Sequence, residues 1–359
     1  MDYQLKPEIK FGNINKIVAS INSSSNVLVI TSKSLNKINQ IQKIFDAQNY
    51  KVISDVEPEL PFSYVRKLYQ SIKISPDLII AIGGGSVIDL GKALSVANDF
   101  EALKALFDKQ NTTYNKYTKL ISFPTTFGTG AETSFGSILY DDLNKKKGGL
   151  RSDKVQSDIV IIDPNLYLSA PQKLMAETGF DCFTHAFETY LSRSSNAIVK
   201  YQSLAAIRII FDELETAVTK KDKNSISKMA IASMMMGVNL AFSTTCLPHR
   251  IQYIIGPMTN TSHAQGLIML YKGWLKLIEE QVNENMQIQD LLKDLKMTFK
   301  ELKGKINDLI SLNKSFTLKN FGITDSDIED IARSVHGNLE NDPFYKNLSS
   351  IQLILEESL

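Results

Sequence analysis

The chain has 359 residues, with 40 Lys plus Arg against 39 Asp plus Glu and a formal charge of +1 at pH 7. That balance excludes a broad electrostatic footprint for nucleic acid or an anionic membrane, and the length is that of two domains, each able to bury its own core. The N-terminal "MDYQLKPEIKFG" has no apolar stretch behind a basic one, no later run approaches the roughly 18 uninterrupted apolar residues of a membrane span, and Cys182 and Cys246 sit in separate apolar contexts, so a cytoplasmic protein without structural disulfides is expected.

From residue 25 onward, short apolar runs alternate with stretches of helical spacing; the runs are "NVLVITS", "YKVISDV", "DLIIAIGG", "KLISFPTT" and "DIVIID". Continuous apolar strands joined by helices predict a doubly wound α/β domain, its parallel sheet covered on both faces. The third run enters Gly83, Gly84 and Gly85, and a helix is predicted from Ser86. Two readings stand side by side there. Bare backbone N–H groups at a helix N-terminus can receive a phosphate, or Ser86 and Asp89 can form a capping box on a tight turn. The place at the carboxyl end of a strand, where open α/β sheets take ligands, favours the first. The glycine spacing is not G-x-G-x-x-G and follows the third strand, so an ordinary Rossmann unit is not expected. After the fourth run, "SFPTTFGTGAETS" supplies the hydroxyls of Thr125, Thr126 and Thr129 between Gly128 and Gly130; taken alone it reads as a polar turn. The string "NKKKGGLRSDK" reads as a solvated loop.

Past the turn dipeptide Asp163–Pro164 strand signals vanish, which places the domain boundary at 1–164 and 165–359. Segments such as "YQSLAAIRIIFDELETAV" and "ISKMAIASMMMGVNLAF" carry apolar residues at helical spacing, so the second domain is expected to be all-helical. In "GFDCFTHAFETY", Asp181 and His185 share one helical stripe with Glu188, about 100° round from Phe180, Phe183 and Phe187. They suit a metal; alternatively Asp181 completes a capping box with Thr178, and His185 is a satisfied core residue. "CLPHRIQYIIGPMTNTSHAQG" adds His249 and His263, so three of the four histidines fall at the starts or ends of helical segments in the one domain, beside a carboxylate. Imidazoles with a carboxylate suit Fe(II), Zn(II), Ni(II) or Mn(II) better than magnesium or calcium. His336 reads as a loop residue, and Thr324 with Asp327 as a capping box.

In this order "GGGSVIDLGK", "PTTFGTGAE", "ETGFDCFTHAFETY" and the paired later histidines resemble the iron-containing (group III) alcohol dehydrogenase family, which shares its fold with dehydroquinate synthase. The resemblance runs from "IKFGNINKI" to "ENDPF". It implies a metal, Fe(2+) or Zn(2+), held by Asp181, His185, His249 and His263 and facing a cleft between the domains. It implies NAD(P)(H) with its pyrophosphate at Gly84, Gly85 and Ser86, Asp89 nearby, Thr125, Thr126 and Thr129 along the cofactor path, and Lys147 near the ribose. The activity implied is hydride transfer between the nicotinamide and a small alcohol or aldehyde, with the metal as Lewis acid and with homodimers or larger assemblies.

Three departures from the family pattern matter. Ser32 followed by Lys33 replaces the acidic residue expected after "VLVIT", which makes NADP(H) acceptable. Tyr253 stands where relatives carry a second histidine for proton movement. Arg250 stands where small or apolar residues are common; it faces an anionic or carbonyl-bearing substrate, or forms an internal salt bridge. The alternatives are a specialised biosynthetic dehydrogenase acting on a peptide-derived or other unusual carbonyl compound, a dehydroquinate-synthase-like lyase, and a binding protein that retains the fold.

Overall fold

The structure is a computed structural model that describes residues 6–14, 26–36, 50–72 and 76–359. Two compact units follow one another, Met1–Ala170 and Pro171–Leu359. The helical stretch expected between the first two apolar runs falls largely at 37–49, and the last three residues of "IKFGNINKI" at 15–17; these lie outside the described residues.

In the first unit β1 (Glu8–Phe11), β2 (Val27–Thr31), β3 (Tyr50–Ile53), β4 (Leu78–Gly83), β5 (Lys119–Pro124) and β8 (Ile159–Ile162) form a parallel sheet of order β1-β8-β5-β4-β2-β3. Successive side chains of a strand point to opposite faces. Leu28 and Ile30 accordingly join one core with Val65, Val87 and Leu103, while Val27 and Val29 join another with Ile80, Ile121 and Phe123. Burial on both faces is why β2, β4 and β8 are apolar almost throughout. Helices α1 (Phe62–Ser71), α2 (Gly85–Val96) and α3 (Phe100–Phe107) belong to this unit, with single helical turns at Lys33–Asn36 and Pro164–Tyr167. Leu166 lies in the second core and Tyr167 stacks on Phe127 at 5.3 Å, so the unit extends past Pro164 to Ala170.

The string expected as a solvated loop is instead half of an antiparallel hairpin, β6 (Gly136–Asp141) with β7 (Lys146–Arg151). Its glycines allow close approach. A Cβ on Gly148 would sit 2.9 Å from the Phe107 ring, and one on Gly149 would sit 2.8 Å from the Ser137 carbonyl oxygen.

The second unit is helical: α4 (Gln172–Leu191), α5 (Ala197–Lys220), α6 (Lys223–Phe242), α7 (Leu247–Thr259), α8 (His263–Glu279), α9 (Met286–Leu295), α10 (Phe299–Ser311), α11 (Ile328–Ser334) and α12 (Leu348–Glu356). Close helix crossings rest on missing side chains. A Cβ on Gly179 of α4 would collide with Leu214 of α5 at 2.2 Å, and one on Gly273 of α8 with the Ile354 carbonyl of α12 at 2.3 Å. Among the described residues α6 alone has the length and apolarity of a membrane span, and 56% of its apolar window is buried in the unit. The expected capping box of Thr324 and Asp327 is present.

Candidate functional site

In the first unit, β4 and β5 are neighbours, and the chain direction through the sheet reverses between β2 and β4. That reversal is the topological switch point where such sheets leave a crevice. The glycine loop follows β4 there, and Ser32 follows β2. Helix α2 starts at Gly85 with Gly84 as its N-cap, and no side chain caps it. The capping-box alternative therefore fails. Ser86 Oγ accepts from the Glu59 amide at 3.2 Å, and Asp89 Oδ2 accepts from the Ile138 amide at 3.1 Å. With no cap competing, the leading N–H groups of α2 are left for an anion.

The threonine loop packs onto the glycines. A Cβ on Gly84 would lie 3.2 Å from Thr126 Oγ1, and one on Gly85 would lie 2.8 Å from Thr129 Cγ2. Thr125 donates its amide to the Gly83 carbonyl at 3.1 Å, and Gly130 turns the loop at φ +54°. Ser32 Oγ accepts from the Leu35 amide at 3.4 Å, at the head of a single helical turn that carries exposed Lys33. Lys147 lies in strand β7, not in a loop, and pairs with Glu59, whose amide is held by Ser86.

Residues the sequence analysis did not single out brace this corner. Buried Lys92 donates to the Ser134 carbonyl at 2.9 Å and the Gly136 carbonyl at 2.8 Å, which pins the end of the threonine loop. Burial pulls Lys92 down to about 8 and pushes Glu132 up to about 7 and Asp89 up to about 6. The signal was a lysine one residue after Gly91 on the apolar side of α2, which amphipathic patterning alone would have sent to water.

In the second unit three helices bring four side chains to one point. Asp181 Oδ1 lies 3.9 Å from His185 Nε2, 4.0 Å from His249 Nε2 and 3.8 Å from His263 Nε2. These distances are too long for hydrogen bonds. Two ligand atoms each about 2.1 Å from one ion lie about 3.4 Å apart at a tetrahedral angle and about 4.2 Å apart when opposite, so the spacing is that of a shared ion. Asp181 Oδ1 is buried without a hydrogen-bond partner, an unfavourable state for a carboxylate oxygen unless a cation faces it. The ligand atoms of Asp181, His185 and His249 all fall within 4.8 Å of one another, and His263 approaches the same oxygen from the more exposed side. The donor set, three imidazoles and one carboxylate, fits Fe(II) or Zn(II).

His185 sits in the middle of α4, not near a helix end, and Thr178 Oγ1 bonds back to the Leu174 carbonyl, which removes the Thr178–Asp181 capping box. His249 occupies the first turn of α7 and His263 the first position of α8, behind an N-cap at Ser262.

One residue joins all three helices. Glu188, one turn beyond His185, accepts from the Cys246 amide at 2.7 Å at the head of α7, from Tyr271 Oη of α8 at 3.2 Å, and meets His249 Nδ1 at 2.9 Å. Asp342 completes the head of α7 by accepting from the Leu247 amide at 2.9 Å. The open N-terminus of α7 is thus satisfied by two remote acids in place of a local cap. Burial pushes Glu188 up to about 8. Gln252 does for His263 what Glu188 does for His249: its Oε1 lies 2.6 Å from His263 Nδ1. Each partner holds the Nδ1 edge of its ring and leaves Nε2 towards Asp181. Gln252 is wedged where a Cβ on Gly256 would meet its amide nitrogen at 2.7 Å and one on Gly266 its Cγ at 2.8 Å.

Comparison with known proteins agrees over both units. The aldehyde-alcohol dehydrogenase of Streptococcus pneumoniae is 29% identical over 258 residues, 67% of this chain; the match spans only 29% of that protein's own length. Long-chain-alcohol dehydrogenase 1 of Geobacillus thermodenitrificans is 26% identical over 345 residues, covering 90% of this chain and 87% of the relative. Sulfoacetaldehyde reductase from Bifidobacterium kashiwanohense, solved with NAD+, superposes with a TM-score of 0.88 at 23% identity over 99% of this chain and 98% of that one, which establishes the fold. A family model described as iron-containing alcohol dehydrogenase matches residues 7–164, and one described as the C-terminal part of the same family matches 175–359. Matched along nearly its whole length by both halves of one family description, the chain belongs to the iron-containing alcohol dehydrogenase family.

Proposed function

We propose that the protein is a metal-dependent oxidoreductase that transfers a hydride between NAD(P)(H) and a small alcohol or aldehyde. The observation that carries this reading is the convergence of three imidazole Nε2 atoms on one buried carboxylate oxygen with no hydrogen-bond partner. Asp181, His185, His249 and His263 would hold a divalent ion, Fe(II) or Zn(II). Held there, the ion would supply Lewis acidity towards a substrate oxygen. A bound nicotinamide would supply the hydride acceptor. In balance, the alcohol carbon gives up a hydride and its oxygen a proton, leaving a carbonyl.

Glu188 and Gln252 keep the ligand rings in register, and Tyr253, whose ring lies 6.2 Å from that of His263, stands ready to exchange the proton. The backbone of Gly84, Gly85 and Ser86 with Thr125, Thr126 and Thr129 would receive the dinucleotide. Lys147 and Asp89 shape that corner from behind, through Glu59 and Ile138. Ser32 and Lys33 support acceptance of NADP(H). Cys182 and Cys246, both buried and neither in a disulfide, support a reducing, cytoplasmic location. Ile198 and Tyr201, 46% and 75% exposed on α5, support a homo-oligomer contact.

The test is metal analysis of anaerobically purified protein together with a panel of alcohols and aldehydes against both nicotinamides. Near-stoichiometric Fe or Zn and metal-dependent reduction of the nicotinamide are expected; turnover that survives complete metal removal would overturn the reading.

A further inference from the structure

The side of the metal cluster that opens outward in its own unit is the His263 side. The side chains of Asp181, His185 and His249 are 3%, 7% and 2% exposed, against 23% for His263. Tyr253 lies against that edge, its ring tilted 20° from that of His263. Arg250 comes next, its guanidinium carbon 5.8 Å from the Tyr253 ring centre. It directly follows His249 and shares the first turn of α7.

Arg250 does not form the internal salt bridge that its sequence position also allowed. Nη2 donates to Thr244 Oγ1 at 2.6 Å, Nε is buried without a partner, and among the described residues no carboxylate pairs with the guanidinium. The acids near it are committed elsewhere. Glu188 serves Cys246, Tyr271 and His249, while Asp342 accepts from the Leu247 amide, from Trp274 Nε1 at 3.0 Å and from the Phe344 amide at 2.8 Å. The alkyl stem lies on Gly337, where an added Cβ would come within 3.6 Å of Arg250 Cδ. A part-buried guanidinium with no carboxylate paired to it is unfavourable by itself. Its planar fork of donors matches a carboxylate, sulfonate or phosphonate.

We infer that Arg250, with Tyr253 beside it, receives an anionic group on the substrate, so that the preferred compounds are short aldehydes or ketones carrying an oxyanion, and the corresponding alcohols. The inference deepens the dehydrogenase reading and rests on it. Tyr253 contributes a phenolic edge between the anion and the reacting carbon.

The experiment titrates metal-loaded protein, in the presence of nicotinamide, with matched probes by calorimetry. 4-Hydroxybutanoate is compared with 4-hydroxybutanamide, and 2-hydroxyethanesulfonate with 2-(methylsulfonyl)ethanol; 2-hydroxyethylphosphonate forms the third arm. At least one anionic probe should bind tenfold or more tightly than the neutral ones, and the three arms identify which oxyanion fits. Arg250→Gln should remove that difference, and Arg250→Lys should keep part of it, because a point charge lacks the fork. Equal binding of anionic and neutral probes by the unaltered protein would overturn the inference, as would equal weakening of both by R250Q with metal content retained. The same probes are assayed for nicotinamide reduction. Binding through Arg250 with no turnover of any alcohol would sink the dehydrogenase reading and leave the anion site standing; turnover of neutral alcohols without anion preference would do the reverse.

Discussion

The glycine and threonine loops of the first unit and the histidine cluster of the second present two different ways of building a site. The loops use backbone and small side chains contributed by two neighbouring strands, and their specificity lies in what is missing. Gly84 and Gly85 leave room that a single Cβ would fill against Thr126 and Thr129. The cluster uses side chains from three helices, and its specificity lies in support, with Glu188 and Gln252 holding the rings. A loop of the first kind tolerates change in charge but not in volume; a cluster of the second kind fails when either a ligand or its brace is removed.

The widest separation between the two should come from His263→Ala. Bound metal should drop to trace levels and turnover should fall on the order of 10³-fold, while nicotinamide affinity, measured by fluorescence titration, stays within about threefold. Gly85→Val is the converse variant. Its side chain would run into Thr129, so nicotinamide affinity should fall about 100-fold with metal content intact; unchanged affinity would remove the glycine loop from the cofactor site.

Gln252→Ala tests the brace alone. It keeps all four ligands, and competition with a chelator should show metal affinity reduced about 10- to 100-fold. Ser32→Asp places a like charge against a 2'-phosphate and should shift the NADP-to-NAD ratio of kcat/KM about tenfold towards NAD.

The last comparison bears on stability alone and concerns the buried acid beneath the loops. Burial raises Glu132 from 4.5 to about 7 in the fold. The folded state therefore favours its protonated form, and that contribution is complete below pH 4.5 and lost as pH rises through 7. Glu132→Gln stays neutral, so its thermal midpoint should exceed that of the parent at pH 8, by no more than about 3 kcal/mol of stability, and converge with it near pH 4.5. An advantage that persists at pH 4.5 would assign the effect to something other than the charge.

How much of this was legible varied with the kind of interaction. The buried strands β2, β4, β5 and β8 were plain because burial on both faces demands nearly unbroken apolar runs. Strand β1 was missed because "EIKF" is a short edge strand, exposed over most of its length. The β6–β7 hairpin was missed because its lysines and glycines serve an ion pair with Glu59 and close packing on Phe107. Asp181 and His185 announced themselves at helical spacing. The bracing roles of Glu188 and Gln252 did not, because their partners lie 58 to 83 and 11 residues away.

By itself the order of residues determined which functional groups the chain carries: three imidazoles and a carboxylate of the kinds that suit an ion, a triple glycine after a strand, and an arginine directly after His249. Local spacing settles helix faces and strand ends, because backbone periodicity is a short-range property. Only the tertiary structure decided that Asp181 and the three histidines meet at one point, that Lys147 answers Glu59, and that among the described residues Arg250 is left without a carboxylate. Those outcomes depend on which remote donors and acceptors burial brings together, and burial is a property of the packed whole.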